Sequence, residues 1–197
     1  MDFKLMRILI YSMRIIYRSL SLIRITLFLA LSFSISSFVS ATPSRILSNP
    51  EYIEIAKMIE KYGLQKTIKS VVKISQKDFE NGGLKLDPFL TVMGLREQNN
   101  GFYESVMVDI EESMSSANKQ MRERGLKPFE TKDEYLKSFI HFYTILVHNM
   151  RCSMPGIRAG IDAGATYTSV YQEPNGIHLT TIVVDEDVCK ASKVDNP

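Results

Sequence analysis

Cys152 and Cys189 are the two cysteines of a 197-residue chain. A thiol can serve as a nucleophile when a histidine beside it takes the proton. The chain offers three histidines for that role: His141, His148 and His178. The other chemistry open to two cysteines is a bond with each other. An even count in an oxidising compartment reads as a disulfide, and two cysteines allow one intramolecular pairing. Closing a loop of this size removes about 4 kcal/mol of chain entropy from the unfolded state. We expect the disulfide, with the Cys–His nucleophile as its alternative.

The remaining reactive types are spaced poorly for chemistry. Glu134, His141 and His148 fall seven residues apart on one side of a predicted helix. Each pair is then separated by about 10 Å, whereas chelating histidines sit three or four apart. Asp185-Glu186-Asp187 is an acidic run without the ligand spacing of a calcium loop. Glu111-Glu112 has no carboxylate that the sequence sets opposite it, as an acid–base pair would need. "GIRAGIDAG", residues 156–164, follows a cysteine rather than a strand, so it is no phosphate cradle. No cofactor and no metal are expected.

The disulfide requires export, and the front of the chain supplies a signal for it. Residues 1–41 carry Lys4, Arg7, Arg14, Arg18 and Arg24 against Asp2 alone. An uncharged run, "ITLFLALSFSISSFV", follows Arg24 and ends in Val39-Ser40-Ala41. A basic front, an apolar middle and a small-x-small exit make a secretory signal peptide, with cleavage near Ala41. The start could be Met1, Met6 or Met13. An uncleaved membrane anchor is the alternative, but four serines dilute the run and it falls short of the ~20 residues that span a bilayer. A mitochondrial presequence is a further reading of the basic face. The leader has net charge +4, which leaves −2 for residues 42–197. A nearly neutral domain argues against nucleic acid as a partner.

The elements that position the cysteines are legible. Ser48-Asn49-Pro50 opens a helix with a capping residue and a proline at the first helical position. A second helix runs over Leu64–Phe79 and stops at Asn81-Gly82-Gly83. Gln98-Asn99-Asn100-Gly101 between two β-rich runs predicts a hairpin. In the second run, Phe102, Val106, Val108 and Ile110 alternate with Tyr103, Ser105, Met107 and Asp109, imperfectly. A short polar helix follows over 111–124. Thr131 and Glu134 form a capping box before the strongest helix, striped by Tyr135, Phe139, Phe142, Leu146 and Met150. That helix delivers Cys152. A short helix, a second Asn-Gly hairpin and Cys189 complete the domain. The expected fold is a single α+β domain, residues 42–197. Its antiparallel sheet has about four strands in two hairpins, packed against helices and fastened by Cys152–Cys189. Tyr167, Ser169 and Tyr171 share one face of a strand. They form either a protein-binding face or a row packed under a helix.

The unit from Cys152 through Ile157, Ile161, Gly164, Tyr167 and Tyr171 to Cys189 resembles a pattern in small exported Gram-negative proteins of the quorum-sensing-regulated virulence factor type. The resemblance covers about a fifth of the chain and implies export, a disulfide and an α+β fold. It supplies no catalytic residues. The extra segment around Lys127–Phe142 and the long front depart from it. The expected function is therefore non-enzymatic: a periplasmic or secreted module that binds an envelope or secretion-system protein through a sheet face or edge. An exported hydrolase and a signal-anchored envelope protein are the alternatives.

Overall fold

The computed structural model describes residues 46–80 and 82–192. The expected leader, residues 1–41, and the choice of start lie outside them. No helix among the described residues is long and apolar enough to cross a membrane.

Asn49 caps helix α1 (Pro50–Tyr62), its side chain accepting from the Glu51 amide at 2.9 Å. Gly63, at φ 83°, breaks the chain between α1 and α2 (Leu64–Ser75). A 3-10 turn, Gln76–Asp78, ends that pair. Three strands follow: β1 (Leu84–Asp87), β2 (Leu90–Gln98) and β3 (Gly101–Val108). The β2–β3 turn places Asn99 and Asn100 at φ 50° and 60°, the geometry two-residue hairpins prefer. Gly101 is needed for a different reason. A Cβ there would stand 2.5 Å from the Thr166 carbonyl, to which Phe102 donates at 2.8 Å.

Helices α3 (Ile110–Glu123), α4 (Lys132–Ser153) and α5 (Pro155–Asp162) then carry the chain over the sheet. Strands β4 (Tyr167–Gln172) and β5 (His178–Val184) and helix α6 (Glu186–Ala191) complete it. Thr131 caps α4 by accepting from Glu134, and Glu134 reaches back to the Glu130 amide, a capping box offset by one residue.

The α+β class, the two hairpins and the disulfide are as expected. The sheet differs in two respects. It has five strands in the order β1-β2-β3-β4-β5, and β3 pairs with β4 in parallel. The extra strand, LKLD, is too short to show a period. The parallel pair follows from the three-helix crossover, since parallel neighbours need a long connection.

Cross-strand register puts Leu95, Glu104, Ser169 and Ile182 in one row, and Glu97, Phe102, Tyr167 and Val184 in the next. The helices cover this face. Lys69 of α2 pairs with Glu97, Arg151 of α4 with Glu104, and Gly160 of α5 packs near Phe102. The other face presents Tyr103, Ser105, Met107, Thr168, Val170, Thr181 and Val183, none of them buried.

Candidate functional site

Cys152 and Cys189 form the disulfide, with Cα atoms 5.3 Å apart and both residues fully buried. It joins the end of α4 to α6, so the segment between them returns to the helix that feeds it. Neither cysteine is a nucleophile in this state.

The other candidates are held apart. His141 is exposed on α4, and His178 contacts Thr181 Oγ1 at 2.9 Å. Asp185 caps α6, and Glu186 pairs with Lys190 at 2.7 Å. Glu111 and Glu112 occupy the first turn of α3, where the helix dipole favours acids. Among the described residues no three His, Cys, Asp or Glu side chains group as a metal site.

Tyr167, Ser169 and Tyr171 do not form an exposed binding face. Each is at most 4% exposed, on the row that packs under α4 and α5. The strand faces the other way from that reading because its apolar ring atoms complete the core. Tyr171 meets Phe139 and Tyr143 edge-on, and Tyr167 meets Phe102 at 5.6 Å between centroids.

The buried polar chemistry centres on a pair that sequence patterning did not single out. Arg151 lies on the core side of α4, four residues after Val147 and eight after Tyr143. Glu104 lies on the core row of β3, between Phe102 and Val106. Arg151 Nη2 donates to both carboxylate oxygens of Glu104 at 2.9 Å. Ser169 Oγ donates to Glu104 Oε2 at 2.8 Å, and the Met154 sulfur sits 3.5 Å from Arg151 Nη1. The guanidinium also lies 4.2 Å from the centroid of the Tyr167 ring, within cation–π range. Arg151 is 1% exposed and Glu104 4%. The site therefore spends the two Tyr167–Ser169 positions on orienting an ion pair.

Beside this pair lies a small cleft of about 20 Å³. Leu86, Leu90, Val92, Tyr143, Leu146 and Met150 line it, with Glu104 and Arg151 at its floor. Leu146 and Met150 are half-buried on the flank of α4. Small-molecule sites are typically ~300–1,000 Å³. This cleft has room for little more than one small group, and its walls are apolar.

His148, on another side of α4, gives the fold a pH response. Burial pushes its pKa below the ordinary 6.5, against opposing effects of Asp185 and the Val183 backbone. A histidine kept neutral by the fold binds fewer protons than it does unfolded. Stability should therefore be level above about pH 6.5 and decline as pH falls through that value. Thermal melts across pH 5–8 should show this decline in the natural chain, and His148→Gln should flatten part of it. Glu51, held above its ordinary value by burial, acts in the opposite sense at lower pH.

What the fold and site define is a disulfide-stapled, two-layer α+β protein with an apolar cleft. No family model matches the sequence, and no curated protein does. Two solved structures are similar. One is a Pseudomonas aeruginosa protein described as secreted, at 16% identity and TM-score 0.42, covering 72% of this chain and 98% of that one. The other is the pilotin EpsS of the Vibrio vulnificus type 2 secretion system, at 14% identity and TM-score 0.43, covering 71% of this chain and 98% of that one. Both likenesses are distant.

Proposed function

We propose that this chain is an exported, non-enzymatic accessory protein of the cell envelope that binds another protein through the cleft beside α4. The leader pattern and the cysteine pair support export, with cleavage near Ala41. The same features, with the Cys152–Cys189 unit, support a place among small exported proteins of the quorum-sensing-regulated virulence factor type. A secretion-system component is the kind of partner this reading favours.

One observation carries the binding role. The cleft is too small for a metabolite, its rim is apolar, and the charges at its floor are engaged with each other and with Ser169. A site built for chemistry would leave polar groups turned toward the opening. A shallow apolar surface over a rigid floor suits a protein contact.

Met150→Lys tests this. The residue is half-buried on the rim, so a lysine can extend its charge to water while blocking an apolar contact. The natural chain isolated from the envelope should bring a specific protein with it. The variant should retain its melting temperature within a few degrees and lose about tenfold or more of that association. Equal capture by both, or hydrolysis of generic esters or peptides by the natural chain, would reject the reading.

A further inference from the structure

Charge is divided unevenly within the folded domain. Residues 61–77 carry five lysines and no acidic residue, a net +5. Residues 42–197 together carry −2, which leaves −7 for the rest of them. Helix α2 sorts the lysines to one side. At about 100° per residue, Lys66, Lys69 and Lys73 fall within an arc of about 60° and span about 10 Å of helix. All three are exposed, and so is Lys77 on the turn that follows. Leu64, Ile68 and Val71 lie on the opposite side of α2, in or against the core.

The row is poorly neutralised by the protein itself. Lys69 stands 4.0 Å from Glu97, at the limit of an ion pair, and its side chain stays 58% exposed. Lys66, Lys73 and Lys77 make no ion pair among the described residues. The other basic stretch, residues 119–127, is different: it contains Glu123, and its Lys127 pairs with Glu130 at 2.8 Å.

We propose that this side of α2 rests on an anionic phospholipid bilayer. A basic row on one side of an amphipathic helix complements a surface of opposite charge. Two features point to lipid headgroups rather than to a discrete acidic site. All five cations are lysines, which act as point charges in a diffuse field, whereas arginine's planar fork suits fixed carboxylates and phosphates. Tyr62, at the corner between α1 and α2, is 45% exposed, with the Lys61 ammonium 4.9 Å from its ring. Tyrosine is enriched at the headgroup level of membranes. The −7 elsewhere is repelled by the same bilayer, so the domain meets it with α2 foremost. The apolar side of α2 is committed to the core, which makes the contact peripheral and salt-sensitive. It is separate from the cleft, whose helical wall is α4.

Co-sedimentation of the natively produced protein with vesicles tests this. Vesicles of about 30 mol% phosphatidylglycerol in phosphatidylcholine should bind it about a hundredfold more tightly than phosphatidylcholine alone, and about 0.5 M salt should release it. Replacing Lys66, Lys69 and Lys73 together by glutamine should remove nearly all of that difference, about fivefold per lysine. Replacing the exposed Lys119, Lys127 and Lys137 by glutamine removes equal charge elsewhere and should keep binding within about threefold. Circular dichroism checks each fold, and the single α2 replacements decide if the triple variant is unfolded. Equal binding to both lipids would overturn the proposal. So would anionic binding that survives the α2 replacements, equal loss in both triple variants, or tighter binding to duplex DNA than to the vesicles.

Discussion

Arg151→Met should destabilise the fold by about 3–5 kcal/mol, the cost of leaving a buried carboxylate without its cation. Glu104 is 4% exposed, and the substitution removes both Arg151 hydrogen bonds while the Ser169 hydroxyl still donates to it. The deficit should be visible as a fall in the urea midpoint with little change in slope. Pairing the change with Glu104→Leu should recover most of it, because two apolar groups of similar volume need no desolvation of charge. The double cycle matters more than either single value. A single-variant loss under about 1 kcal/mol would mean that the pair is solvated and that the cleft has no closed floor.

The second large effect belongs to the staple. Replacing Cys152 and Cys189 together by serine should lower stability by about 2–5 kcal/mol. The closed loop spans a sequence separation of 37, for which chain entropy alone gives about 4 kcal/mol. The loss should appear in urea unfolding, again chiefly in the midpoint. Both cysteines are fully buried. Reductant should therefore act slowly on the native protein and quickly in denaturant. Rapid reduction under native conditions would show that the end of α4 and α6 open locally without global unfolding.

Much of the fold could be read from local chemistry. Asn49-Pro50, the Thr131–Glu134 box and the two Asn-Gly turns act within a few residues, and each sits where expected. The disulfide followed from counting. What escaped were the facts set by distant chain. LKLD is a strand only because β2 lies beside it, and β4 runs parallel to β3 only because three helices intervene. The orientation of β4 escaped for the same reason. Its alternation predicts two faces but cannot say which one the helices cover, and they cover Tyr167, Ser169 and Tyr171.

The ion pair leaves a trace in the sequence. Glu104 is the residue that makes the Phe102–Val106–Val108 alternation imperfect. Arg151 interrupts the apolar stripe of α4 at a core position after Phe139, Tyr143 and Val147. Two opposite charges, each in a place where an apolar residue is due, predict each other across a fold. The cleft itself had no such trace, since its walls come from β1, β2 and α4 together.

Site-specific photocrosslinking in intact cells tests the binding role most directly. A photoreactive residue at Met150 lines the cleft, while one at Lys137 sits exposed elsewhere on α4. The account predicts a discrete adduct to a different envelope protein from position 150 and none from position 137. The same adduct from both positions, or none from position 150 in cells that accumulate the protein, would contradict it.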